Sequence, residues 1–275
     1  MPGYVIDSNM LQSDELRRYL GRGREHLAVL PDFVWYELYK QESMEGLRLG
    51  LSVLGDYPDQ VILLQPAGYI SRLNPAVAGE VERLIMNDSP GDITELVRVV
   101  RSEGPVDETA AAQLRIYWSW ARTLRPSLIE GASDIAQSYP EMQEQMFDEK
   151  QIRIIRTNGK YSEEMFATIF GAAFQLWETF AAEHQIEWEG LDEAVVSRAY
   201  LFRFSLGLII NLLWWIRGGS QPVVRMDRLS NDMIDLSFAV YATYFDGFFT
   251  RDVKAGWVHA NLIAAIAGFA DCENV

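Results

Sequence analysis

Four carboxylates stand where an α/β fold gathers its chemistry: Asp7, Glu37, Asp235 and Asp252. Asp7 ends the apolar run Gly3 to Ile6, and Asp252 follows Gly247-Phe248-Phe249-Thr250. In an open parallel sheet, ligands bind beyond the carboxyl ends of the strands, so acids just after a strand are the ones to watch. Glu37 is expected on the helix after a second strand, and Asp235 near the start of the helix preceding the Phe248-Phe249 strand. If the strands are neighbours, all four acids converge on one edge of the sheet. Each like-charge pair brought to near 4 Å costs roughly 4 kcal/mol at an effective dielectric of about 20. A divalent cation supplies the compensating charge. Oxygen ligands favour Mg²⁺ or Mn²⁺ over zinc, and the histidines, His26, His184 and His259, have no metal-binding spacing. The chemistry implied is metal-assisted phosphodiester hydrolysis. The plainer readings are that Asp7 caps the following helix and that Asp232 and Asp235 favour a helix N-terminus.

The elements that must position these acids are readable as an alternation. A strand over Gly3 to Ile6 leads into a helix from about Ser8 through Leu20, and His26 to Pro31 forms a second strand. Asp32 to Tyr57 suits one long helix or two, and Gln60 to Pro66 is a third strand. Strands alternating with helices predict an α/β fold with an open parallel sheet flanked by helices. From residue 76 to 217 long helical patterns dominate, which reads as an all-helical insertion between a first core part, 1 to 75, and a second, 218 to 275. Within that block, Lys150 to Ser162 alternates and carries Asn158-Gly159, a hairpin signal. After Gly218-Gly219 the pattern returns to helix, strand and final helix. The most apolar stretch, Phe204 to Ile216, falls short of the roughly 20 residues of a membrane span and lies between Arg203 and Arg217, so it is expected as a buried helix, with Trp214-Trp215 in the core or an interface.

The formal charge of −15 repels polyanions, so any nucleic-acid contact needs local basic patches. One is Arg17, Arg18, Arg22 and Arg24, placed by this reading near the acidic edge. A second combines Arg115, Arg122 and Arg125 with Tyr117, Trp118 and Trp120, a mixture that holds phosphates and stacks bases but is also ordinary on an amphipathic helix. Lys150 to Lys160 is a third. The lone cysteine, Cys272, excludes an intramolecular disulfide framework and suits a reducing compartment; with no signal-peptide pattern at the N-terminus, a cytoplasmic location away from membranes is expected.

Three segments, in order, resemble one family. Tyr4-Val-Ile-Asp-Ser-Asn9 resembles the opening strand of PIN-domain nucleases; Val29 to Leu38 resembles their second strand, turn and acid-bearing helix; Asn231 to Asp252 resembles their Asp-led, Ala-rich helix and a strand ending in Thr-x-Asp. The resemblance implies that Asp7, Glu37, Asp235 and Asp252 bind Mg²⁺ or Mn²⁺, with Ser8, Asn9 and Thr250 orienting them. It leaves Asp232 as a rival to Asp235, which the distance to Thr250 favours, and Asp246 as an auxiliary acid. It also implies a metal-dependent endonuclease with water as the nucleophile, acting on RNA rather than DNA, in a family that includes toxins of toxin-antitoxin pairs. Arg17, Arg18, Arg22 and Arg24 would contact the substrate. A protein inhibitor or partner on the helical block, and a homodimer, are further expectations. The helical block is far longer than the connection in compact PIN toxins, and a single helix follows Asp252. The competing reading is a degenerate scaffold that binds a protein through this block. A haloacid dehalogenase-type phosphohydrolase would need a second acid where this chain has Asn9.

Overall fold

The computed structural model describes residues 3–86, 90–102, 107–186, 190–221 and 226–272. Four short strands, β1 (Gly3–Ile6), β2 (Leu27–Leu30), β3 (Val61–Leu63) and β4 (Gly247–Phe249), form one sheet in the order β3-β2-β1-β4, with every pairing parallel. Val5, Ile6, Ala28, Val29 and Leu30 are wholly buried, as expected where a parallel sheet is covered on both faces and its strands read as unbroken apolar runs. The chain runs outward from β1 through β2 to β3, then returns to the other side of β1 as β4. The order therefore reverses between β1 and β4, the switch point beyond whose carboxyl ends open α/β sheets bind ligands.

The helices are α1 (Asp14–Leu20), α2 (Asp32–Tyr39), α3 (Met44–Gly50), α4 (Ala67–Ile70), α5 (Glu80–Leu84), α6 (Pro90–Arg101), α7 (Glu108–Met146), α8 (Glu149–Arg156), α9 (Glu163–Glu183), α10 (Glu193–Arg198), α11 (Tyr200–Arg217), α12 (Met226–Ala242) and α13 (Val253–Cys272). Side-chain caps decide several boundaries. The helix expected from Ser8 to Leu20 is split: a 3-10 turn covers Ser8–Met10, and Ser13 accepts the Leu16 amide to start α1. Ser43 accepts the Gly46 amide and divides the Asp32 to Tyr57 region into α2 and α3. The hairpin expected in Lys150 to Ser162 is instead helical through Arg156. Asp148 and Gln151 form a reciprocal capping box that nucleates α8, and Asn158, at φ 55°, ends it in the left-handed conformation rather than turning a hairpin.

The Phe204 to Ile216 stretch lies in α11, whose residues are buried on nearly every face. It packs against α9, α12 and α13, while α12 in turn lies on β1, β4 and α7. One hydrophobic cluster thus runs from Val5 of the sheet through α9 and α11 to Leu262 of α13. Among the described residues, no helix is long and apolar enough to cross a membrane.

The approach of α11 to α12 depends on Gly207, where an added Cβ would lie 2.7 Å from Leu236 Cδ1 and 3.3 Å from Val240 Cγ2. Gly131, inside α7, faces open space. Gly207→Leu is expected to lower unfolding stability by about 1–3 kcal/mol through overpacking, whereas Gly131→Ala should raise it by about 0.5–1 kcal/mol through helix propensity. Urea denaturation of the two variants reads the opposite signs directly.

Candidate metal centre

Asp7 ends β1 with its side chain almost entirely out of water, at 2 % residual exposure. Pairing with β4 carries the neighbouring strand's end to the same place, and the Asp7 amide donates to the Phe249 carbonyl at 3.0 Å. Thr250 Oγ1 then donates to Asp7 Oδ2 at 2.6 Å, and Asn9 Nδ2 donates to the same oxygen at 2.6 Å. The Asn9 amide, at 3.3 Å, and Ser8 Oγ, at 3.4 Å, reach Oδ1, so Asp7 also caps the 3-10 turn that follows it. Burial pushes the Asp7 carboxyl above its usual range, and the Asp252 charge adds to this; the donors from Thr250, Asn9 and Ser8 oppose it.

The loop after β4 is tied to the loop after β1 at two points. The Arg251 amide donates to Asn9 Oδ1 at 3.2 Å, and the Asp252 amide donates to Thr250 Oγ1 at 2.9 Å, so the Thr250 hydroxyl joins Asp7 to the backbone of Asp252. Asp252 Oδ1 accepts the Ala255 amide at 2.7 Å in the first turn of α13. Glu37, on α2, is ion-paired with Lys40 at 2.6 Å.

Asp7, Ser8, Asn9, Glu37, Asn231, Ile234, Asp235 and Asp252 line one cavity of about 130 Å³ at this edge. It has room for a partly hydrated ion among oxygen-bearing side chains. The Asp235 carboxyl is pushed up to about 8, first by burial and then by the charges of Asp7, Asp252, Asp232 and Glu37. Among the described residues, no three Asp, Glu, His or Cys side chains are gathered closely enough to hold an ion as they stand. Repulsion and the pairing of Glu37 with Lys40 both act against such a gathering.

No family model, curated protein or solved structure matches this chain.

Asp232, the rival third acid, is paired with Lys254 of α13 at 2.7 Å and does not line the cavity. Asn231, which its lack of charge hides in the sequence, does line it. The signal was its spacing: Asn231 and Asp235 are four apart on a helix and so share a face. Asp246 precedes β4 rather than following it, and its amide donates to Gly3 at the opposite end of β1. At about 3.3 Å per residue, the strand's length separates it from the cavity, so it has no auxiliary role there. The basic cluster is likewise displaced. Arg22 and Arg24 sit in the turn leading into β2, at the amino edge of the sheet, because α1 has carried the chain back across it. Arg17 is ion-paired with Asp56, which also holds Arg101 at 2.8 Å, and Arg18 Nε donates to the Asp14 carbonyl at 3.3 Å. His26 lies at that same amino edge, and His259 Nε2 is buried without a hydrogen-bond partner among the described residues.

The raised Asp235 carboxyl fixes a sign. Its affinity for the proton is greater in the folded state, so the stability it contributes is complete below the unfolded value near 4 and is lost as pH rises through about 8. Asp235→Asn, which does not titrate, should therefore be more stable than the parent chain at pH 9, with the difference shrinking as pH falls toward 5. Thermal unfolding across that range checks it; a parent chain as stable as Asp235→Asn at pH 9 would contradict the crowding of charge at this edge.

Proposed function

We propose that the chain is a divalent-metal-dependent phosphodiester hydrolase of PIN-like architecture, an endonuclease acting on RNA in preference to DNA. One observation carries the hydrolase: four carboxylates from four separate elements, Asp7 after β1, Glu37 on α2, Asp235 on α12 and Asp252 after β4, line a single cavity at the switch point of a parallel sheet. The endonuclease class and the preference for RNA rest on the resemblance of the three segments to PIN-domain nucleases.

The residues present suit Mg²⁺ or Mn²⁺, because the donors are oxygens and their mutual repulsion, read in the raised Asp235 carboxyl, is relieved by a cation. When bound, the ion would lower the pKa of an attacking water and offset charge developing on the phosphate. Asp7 is the fixed point of the set, held by Thr250 and Asn9 so that it need not reorganise. Asp235, whose carboxyl is raised by burial and by the neighbouring acids, would be a ligand that must lose its proton to hold a cation. Glu37, now paired with Lys40, and Asp252, whose Oδ1 accepts the Ala255 amide, would supply further carboxylate oxygens to the ion. Asn231 offers a neutral donor or acceptor at the rim.

A second reading, a catalytically degenerate scaffold, is favoured by the Glu37–Lys40 ion pair and by the ungathered acids. The two readings separate on metal titration. Calorimetry with Mn²⁺ should show affinity rising about tenfold per pH unit between pH 6 and 8, as one proton is displaced, and levelling above it. Thr250→Val should weaken Mn²⁺ binding by about 10–100-fold through loss of the group that orients Asp7. Asp7→Asn and Asp235→Asn should remove metal-dependent cleavage of a labelled single-stranded RNA. Absence of metal binding and cleavage in the parent chain, with Asp7→Asn silent, would sink the hydrolase reading.

A further inference from the structure

Exposed apolar side chains on a strongly acidic chain carry most meaning where they adjoin cations that no carboxylate has claimed. One such surface begins at the acidic cavity. Asp252 lines the cavity, and Val253, the residue after it, is 77 % exposed at the start of α13. Val253 and Trp257 are four apart on that helix and share a face, and Trp257 lies roughly 8 Å along the axis from Asp252. Lys254, in the same first turn, reaches Asp232 of α12 at 2.7 Å, and the neighbouring Asn231 lines the cavity. Trp257 is therefore one turn of helix away from a side chain that sits at the cavity's rim.

From Trp257 the surface continues across two more helices. Trp257 meets Trp214 of α11 with ring centroids 5.2 Å apart, and Arg217, the last residue of α11, holds its Cζ 5.6 Å from each of the two centroids. The Arg217 charge reaches Tyr161, where it opposes the burial that raises the phenol, and the Tyr161 ring meets Phe166 of α9 at 5.9 Å. Phe166 is 47 % exposed, Arg217 is exposed, and Trp214, Trp257 and Tyr161 are half-buried. Rings with one side on the protein and the other toward water thus form a row, with a guanidinium in its middle.

The charge along this row is opposite to that of the whole chain. Lys150 to Ser162 carries Lys150, Arg153, Arg156 and Lys160 and no carboxylate. Arg156 Nε donates to the Ile216 carbonyl at 3.4 Å, which brings that segment to Arg217. None of Arg153, Arg156, Lys160 and Arg217 forms an ion pair with described residues. We propose that the row binds single-stranded nucleic acid, with bases stacked on Phe166, Tyr161 and Trp257 and a backbone phosphate held by Arg217, and leads the strand past Val253 to the cavity. Base faces and backbone charge are the two features that such a row recognises. Glu163 and Glu164 open α9 beside Phe166, so phosphate is held at the Arg217 end and Phe166 meets a base. The purpose of the row rests on the hydrolase reading; its place rests on the ring and guanidinium geometry alone.

The test is binding without turnover. Full-length protein in EDTA is titrated into fluorescein-labelled single-stranded RNA, single-stranded DNA and duplex DNA of one sequence, and anisotropy is followed over a range of salt. The Arg217 and Phe166 side chains are exposed, so the fold tolerates their loss. Arg217→Ala should weaken single-strand binding about tenfold and reduce the slope of log K against log salt by about one phosphate's worth, with Arg217→Lys restoring the slope. Phe166→Ala should weaken it about fivefold or more with the slope unchanged, and the duplex, whose bases are not free to stack, should bind at least about tenfold more weakly than either single strand. Arg22→Ala, at the amino edge of the sheet, should change nothing. No binding by the parent chain, unchanged affinity in Arg217→Ala or Phe166→Ala, an equal loss in Arg22→Ala, or duplex binding as tight as single-strand binding would overturn the proposal. Metal-dependent cleavage by the parent chain, with binding indifferent to Arg217→Ala and Phe166→Ala, would discard the row and leave the hydrolase reading standing. Row-dependent binding without metal-dependent cleavage would do the reverse.

Discussion

The pairing of β4 with β1 is the constraint on which the rest depends. It brings Thr250 onto Asp7 across a separation of 243 residues, with the whole of the helical block enclosed between them. Closing so long a loop costs entropy that grows only slowly with length, so the intervening helices are tolerated. They also contribute to the closure: α12 lies on both of the paired strands, and α11 packs on α12 and α13. The edge that carries the acids is thus held by a helical layer, and not by the short strands alone.

That closure forces carboxylates together, and the structure answers each of them differently. Asp7 is surrounded by hydroxyl and amide donors. Glu37 has Lys40, and Asp252 has the Ala255 amide at a helix N-terminus, where negative charge is favoured. Asp235 has no such partner among the described residues, and it is the group driven to bind a proton. A proton and a metal ion are alternative remedies for the same crowding. The carboxyl that titrates near neutrality is therefore the one through which cation binding couples to pH.

The sheet and the acids were legible in the sequence for a specific reason. Gly3 to Ile6, Leu27 to Leu30 and Val61 to Leu63 are apolar runs bounded by turn residues, and an acid directly after a strand has its place defined by the strand. Asp7 and Asp252 needed no more than that. Glu37 and Asp235 are on helices, where only the likeness of the three segments to one family singled them out. Chain direction and local caps are what the apolar pattern does not display. Asp246 is as near to β4 in sequence as Thr250, but it precedes the strand, and a parallel sheet separates what comes before from what comes after. Arg22 and Arg24 failed in the same way, because a helix intervenes and reverses the chain. In the Lys150 to Ser162 segment, Asn158-Gly159 suggested a hairpin, but Asp148 and Gln151 upstream had already committed the backbone to a helix. Asn231 was passed over because it bears no charge, although a four-residue spacing to Asp235 put it on the same helical face.

The helices between residues 76 and 217 share one hydrophobic cluster with the sheet. Asp235 belongs to a helix whose buried face is matched to α11 through Gly207, and α7 packs on both α2 and α12. An acidic centre fixes where phosphate chemistry can occur, but by itself it repels the phosphodiester chain. Positive charge has to come from cations not already paired with acids, as Lys40 is with Glu37 and Lys254 with Asp232. In α7, Asp107 caps the first turn and the next carboxylate after Glu108 is Glu130, leaving the arginines between them unopposed within their own helix.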